Sequence, residues 1–174
     1  MAVWYFAYGS NMQTATFRGR RGIEFAEARS GRLAGWRLVF DKPPLVPVGE
    51  AFANIIADPE ATVLGALYRI SEEDLGHIDL TEGVLIGNYQ RIPVTVALHG
   101  SAETVEAFTL TCAQSDPTLK PSTRYMALLI EGAIEHGLPA DYVDWLRTVP
   151  ACEENAVAAK FRPVMDDLFA KRRD

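Results

Sequence analysis

Two cysteines and three histidines are all that this 174-residue chain offers to thiol or soft-metal chemistry. Cys112 and Cys152 lie far apart with no CxxC, and His77, His99 and His136 are dispersed. A disulfide framework, a structural zinc site and an HExxH helix are thereby excluded, and no metal or organic cofactor is expected. Positive charge is scarce as well. Seventeen Lys and Arg face 23 Asp and Glu, for a net charge of −6, which argues against a nucleic-acid or anionic-membrane partner. No apolar run approaches the roughly 18 residues of a membrane helix. The opening MAVWYFAYGSN has no Lys or Arg ahead of an apolar core and no small-residue cleavage site, so structure is expected almost from residue 1 and a cytoplasmic location follows. There both thiols would stay reduced.

What is present is an ordinary globular composition, 48% hydrophobic, 23% charged and 10% aromatic. A single domain over residues 1–174 is the default, long enough to bury roughly two-thirds of the surface of the unfolded chain. Residues 3–8 form an apolar, β-favouring run closed by Gly9-Ser10-Asn11, which predicts a strand followed by a sharp turn. Further strands are expected at 32–40, 53–56, 63–70, 90–98 and 104–111. In the run 90–98, Ile92, Val94, Val96 and Leu98 alternate with Pro93, Thr95 and Ala97. The proline argues for an edge or strand-start position.

Helices are expected at 71–82, with Ser71 and Asp74 as a capping pair, Leu75 and Ile78 inward and Gly83 as the stop. Others follow Ser122, run from 139 to 148, and occupy 162–171, ending in Lys-Arg-Arg. Residues 41–50, DKPPLVPVGE, read as a surface loop. Strands crowd the first half and helices the second, without regular βαβ alternation, so the fold class is α+β.

Three places could carry chemistry. The turn after Tyr5-Phe6-Ala7-Tyr8 could aim backbone N–H groups at an oxyanion or carboxylate, although a Gly-Ser-Asn turn is commonly only a turn. Glu82 sits at a helix C-terminus just ahead of Val84-Leu85-Ile86. Both settings disfavour its ionised form and suit a general base, whereas the plain alternative is a solvated carboxylate. Tyr125 lies on the apolar face of the helix after Ser122, where a tyrosine is normally core. Arg18, Arg20 and Arg21 are a basic cluster that could read a substrate carboxylate or simply form a solvated face.

Taken together, YFAYGSNM at 5–12, IDLTEGV at 78–84, Asn88-Tyr89, and PSTRYMALLIEGAIEHGLPADYVDWL at 121–146 resemble the γ-glutamylcyclotransferase family in order and spacing. The likeness extends from residue 3 to about 149. It implies a small closed mixed β-barrel with helices packed outside, and conversion of γ-glutamyl-amino acids to 5-oxoproline and free amino acid. It also implies that the backbone of Tyr8, Gly9 and Ser10 lines the γ-glutamyl pocket within a binding segment Tyr5, Phe6, Ala7, Tyr8, Gly9, Ser10 and Asn11. Glu82 would be the catalytic acid/base, with Tyr125 and Tyr89 as binding residues. Met12 stands where leucine is commoner, and residues 41–50 match no motif, which leaves the leaving group open.

The same chemistry on a γ-glutamylamine, glutathione or a γ-glutamyl-protected biosynthetic intermediate, and a non-catalytic carboxylate-binding module, are the alternatives. A small-molecule partner is implied. A homodimer is compatible with the chain, but no heptad seam establishes one. An anionic substrate on a chain of charge −6 requires a pocket locally less negative than the surface around it.

Overall fold

The computed structural model describes residues 1–45 and 49–170. Five strands, β1 (Ala2–Ala7), β2 (Glu27–Lys42), β3 (Phe52–Ser71), β4 (Gln90–Leu98) and β5 (Thr104–Thr111), close into a barrel in the order β1-β3-β2-β4-β5. All neighbours are antiparallel except β1 and β5, which meet in parallel where Tyr5 faces Phe108. The barrel is therefore closed and mixed, as expected. Closure leaves no free sheet edge and lets both faces of a strand be covered. In β1 the consecutive residues Tyr5, Phe6 and Ala7 are all buried.

The expected strands at 53–56 and 63–70 are a single strand, β3. Its partner β2 begins at Glu27 rather than 32. Between Ala34 facing Thr62 and Trp36 facing Ala57, residues 58–61 of β3 lie opposite Gly35 alone. The Asp58-Pro59-Glu60 segment that reads as a break is thus an irregularity within one bent strand. Pro93 sits opposite Phe108 of β5, whereas β4 meets β2 only at Leu98 and Ala97. Its missing N–H consequently costs no ladder bond on the β2 side.

Among the described residues there are four α-helices, α1 (Glu72–Thr81) between β3 and β4, and α2 (Thr123–Glu135), α3 (Ala140–Thr148) and α4 (Ala156–Phe169) after β5. Ser71 caps α1 by accepting from the Asp74 N–H at 3.0 Å, Leu75 and Ile78 are buried, and Gly83 follows at φ 71°. Ser122 caps α2 in the same way through the Tyr125 N–H. The last helix differs from expectation, because it starts six residues earlier on an Asn155 cap and carries Pro163 inside. The earlier start brings Val157, Phe161, Val164 and Leu168 onto one helix with alternating spacings of four and three, all exposed. A start at 162 hides that seam. The Lys171-Arg172-Arg173 end expected for this helix lies outside the described residues, as does Val46-Pro47-Val48 of the 41–50 loop.

The stretch between β1 and β2 is a 3-10 turn (Ser10–Met12) and a π-helical segment (Ala15–Arg20). Aromatic packing fixes it. Phe17 stacks on Tyr68 with centroids 4.3 Å apart, and Phe25 lies 4.7 Å from the same ring. Such pairs contribute about 0.5–1.5 kcal/mol each beyond their buried area. Tyr68 also donates to the Met12 carbonyl at 2.6 Å, tying the turn to β3. Among the described residues, no helix is long and apolar enough to cross a membrane.

Candidate active site

One pocket gathers residues from six separate parts of the chain. Tyr5, Tyr8, Gly9, Ser10 and Asn11 come from β1 and its turn, and Ala53 from β3. Glu82 ends α1, Tyr89 precedes β4, Leu110 belongs to β5 and Tyr125 to α2. The expected site residues converge here with two exceptions. Phe6 and Ala7 do not line the pocket but are fully buried, and the Phe6 ring lies within about van der Waals reach of Gly65. Strand alternation turns Phe6 to the face opposite Tyr5. Ala53 and Leu110 escaped the sequence reading, since nothing in an isolated Ala or Leu marks it as a pocket wall.

Glu82 is the C-cap of α1, and its side chain is 14% exposed. Its Oε1 accepts from Asn11 Nδ2 at 3.1 Å and pairs with the Arg21 guanidinium at 2.7 Å. Among the described residues no hydrogen bond is made to Oε2, which leaves that oxygen available for proton transfer. The apolar surroundings expected from the following residues are absent, because Leu85 and Ile86 are 80% and 68% exposed. The burial of Glu82 comes from the pocket, and its charge is met by Arg21.

The arginine cluster is dispersed to three separate partners rather than gathered on one face. Arg18 pairs with Glu24 and covers the Phe25 ring, Arg20 pairs with Asp166 of α4, and Arg21 pairs with Glu82. None of the three lines the pocket. The irregular backbone disperses them: a π-helical segment advances each side chain by a smaller angle than an α-helix, and the chain turns at Arg21-Gly22, with Gly22 at φ 65°.

The amide of Asn11 can be oriented from chemistry. A carboxylate only accepts, so the atom facing Glu82 is Nδ2, which also approaches the Tyr5 hydroxyl at 3.3 Å. Asn11 Oδ1 is left buried in the pocket wall without a donor among the described residues. Such an atom costs about 1–3 kcal/mol if it stays unpaired.

Tyr125 is held by main chain. Its oxygen accepts from the Ala53 N–H at 3.2 Å and is acted on by the Ser10 N–H. With those contacts made, the phenol proton has no described acceptor. A Cβ on Gly9 would lie 3.1 Å from the Tyr125 oxygen, so glycine is what lets the turn and α2 approach this closely. Burial pushes the Tyr125 hydroxyl up to about 12, with the Glu82 charge acting in the same direction. Burial likewise raises Tyr5, Tyr8 and Tyr89, with Glu82 adding to each. At neutral pH all four act as hydrogen-bonding phenols. Tyr8 donates to the Leu110 carbonyl at 2.7 Å and Tyr89 to that of Ala53 at 2.9 Å.

Behind Tyr89 lies a group that the sequence reading left within a loop. Lys42, at the end of β2, is only 1% exposed. It donates to the Pro43 carbonyl at 2.7 Å and to Asn88 Oδ1 at 2.8 Å, and its ammonium sits 4.6 Å from the centre of the Tyr89 ring. Asn88 in turn donates to the Glu82 carbonyl at 2.8 Å.

Comparison with known proteins identifies the family. Residues 62–146 match the AIG2-like family. The chain is 30% identical to the γ-glutamylcyclotransferase of Bos taurus and 31% to that of Homo sapiens, in each case over 96% of this chain and 87% of the relative. A solved structure of a γ-glutamyl cyclotransferase superposes with a TM-score of 0.79 at 25% identity, over 96% of this chain and 99% of the other. With the same barrel, and with near-full-length similarity to enzymes of that name, the chain belongs to the γ-glutamylcyclotransferase family.

Proposed function

We propose that the chain converts γ-glutamyl-amino acids, or γ-glutamyl amines, to 5-oxoproline and the free amine by intramolecular aminolysis, with Glu82 as the proton-transfer group. The observation that carries this reading is the convergence of Glu82, the Gly9-Ser10-Asn11 turn, Tyr89 and Tyr125 on one pocket from points up to 116 residues apart. A site that only held a carboxylate ligand would gain nothing from a carboxylate in its wall.

The substrate carries its own nucleophile. Its α-amine, in the neutral form, attacks the γ-carbonyl carbon through nitrogen, closing a five-membered ring and placing negative charge on the carbonyl oxygen. The amine passes a proton to Glu82 Oε2. Glu82 returns that proton to the leaving nitrogen as the original C–N bond breaks. No water and no redox partner enter the balance. Tethering supplies proximity on the order of 7–11 kcal/mol, and a positioned general acid/base contributes roughly 10²–10⁴ in rate. The phenol of Tyr125, its oxygen fixed by backbone N–H groups, would donate its proton to the oxyanion, and one such donor is worth about 10²–10³. Asn11 Oδ1 would accept an N–H of the α-amine, pairing an atom that is otherwise unpaired. This chemistry suits the cytoplasm, where both unbridged cysteines stay reduced.

Time-dependent release of 5-oxoproline from a panel of γ-glutamyl-amino acids tests the proposal. The Glu82→Gln variant is expected to remain folded and to lose nearly all activity. Activity that survives the substitution removes Glu82 from the mechanism. Binding without turnover of any γ-glutamyl compound supports a binding module instead.

A further inference from the structure

Lys42 is a buried ammonium with no carboxylate within ion-pair distance among the described residues. Three acceptors face it: a backbone carbonyl, an amide oxygen and the π-face of Tyr89. A neutral amine has two N–H donors and a lone pair, whereas the protonated form has three donors and nothing to accept with. The surroundings are therefore built for the charged form, even though burial lowers its pKa.

The charges around the pocket can be counted. Glu82 is matched by Arg21 at 2.7 Å. The four lining tyrosines are held as neutral phenols by burial. Lys42 remains, behind the ring of Tyr89, as a positive charge whose hydrogen-bond acceptors are all neutral, on a chain of net charge −6. In a poorly hydrated wall such a charge is weakly screened.

Two kinds of substrate differ in what they offer that field. A γ-glutamyl-amino acid carries one ammonium and two carboxylates near pH 7, a net charge of about −1, whereas a γ-glutamyl amine with an uncharged leaving group is close to neutral. We infer that Lys42 is a specificity-determining residue, whose unmatched positive charge makes the site favour γ-glutamyl substrates with a carboxylate on the leaving amine. This inference rests on the cyclotransferase reading of the same pocket.

The test uses a matched pair, γ-glutamyl-alanine and γ-glutamyl-ethylamide, which differ only by that carboxylate. For the unaltered enzyme, kcat/KM is expected to favour the alanine compound. Lys42→Met removes the charge at similar length and is expected to reduce that preference about tenfold, chiefly through KM of the alanine compound. Lys42→Arg keeps the charge and is expected to keep the preference even where both rates fall. An equal fall on both compounds overturns the inference and leaves Lys42 a clamp on Asn88 and Tyr89. The absence of any preference in the unaltered enzyme overturns it without reference to a variant. Should neither compound yield 5-oxoproline, the cyclisation reading fails by itself. Calorimetric affinities of the same pair then decide the inference, and equal affinities, or no binding of either, overturn it.

Discussion

The two walls of the pocket handle charge in opposite ways. On one wall, Glu82 is held between Asn11 and Arg21, so a carboxylate and a guanidinium satisfy each other. On the other, Lys42 sits under Tyr89 and beside Asn88 with only neutral acceptors around it. A matched pair fixes the geometry of a reacting group while adding little net field. An unmatched charge holds its neighbours less directly but leaves a field for a ligand to answer. Asn88 and the α1 terminus connect the walls, since one amide bonds both Lys42 and the Glu82 carbonyl.

That contrast can be broken from either side. Glu82→Gln removes the charge of the first wall and is expected to lower 5-oxoproline release by roughly 10²–10⁴. An unchanged thermal midpoint would separate chemistry from folding. Next in size is Tyr125→Phe, expected to lower kcat by about 10²–10³ if its phenol serves the oxyanion, with KM moving less. A loss confined to KM would instead make Tyr125 a ground-state contact. Arg21→Gln leaves Glu82 without its counter-ion, and kcat is expected to fall about tenfold to a hundredfold, or roughly 1.4–2.8 kcal/mol. Arg21→Lys should recover part of that loss, because it keeps charge but not the planar fork. Rates unaffected by Arg21→Gln would show that Asn11 alone positions the carboxylate. Behind Tyr89, Lys42→Met is expected to change the ratio between the matched substrates about tenfold rather than abolish turnover.

The smallest effect is on stability, and it concerns the tyrosines common to both walls. Tyr125 is raised to about 12 in the folded chain, from about 10 in an unfolded one. Above pH 10 the folded state therefore holds protons that the unfolded state has released. The stabilisation is complete below pH 10 and is lost as pH rises through about 12. Urea midpoints measured from pH 8 to 11 should fall at the alkaline end, and a flat profile would contradict the buried phenols.

Much of this could be read along the chain. The β1 strand and its Gly9 turn, the Ser71 and Ser122 caps, the alternation in β4 and the position of Glu82 at a helix end are local signals, set by neighbours a few residues away. Tyr125, by contrast, reads locally as core and enters as a binding residue only through the family resemblance. Errors arose where the outcome depended on a distant partner. Asp58-Pro59-Glu60 has turn composition, yet pairing with β2 on both sides carries β3 through it. Leu85 and Ile86 look like core and are exposed, because among the described residues no element packs over them. The Arg18, Arg20 and Arg21 run gives no hint that its members go to Glu24, Asp166 and Glu82.

By itself the sequence determined a mixed α+β chain whose few cysteines and histidines are dispersed, and a requirement that the pocket be less negative than the surface. Only the tertiary structure decided how that requirement is met, by Arg21 spent on Glu82 and by Lys42 buried under Tyr89. Composition adds charges regardless of place. Coulomb energies depend on distance and on the surrounding dielectric, and both are fixed only when the barrel closes.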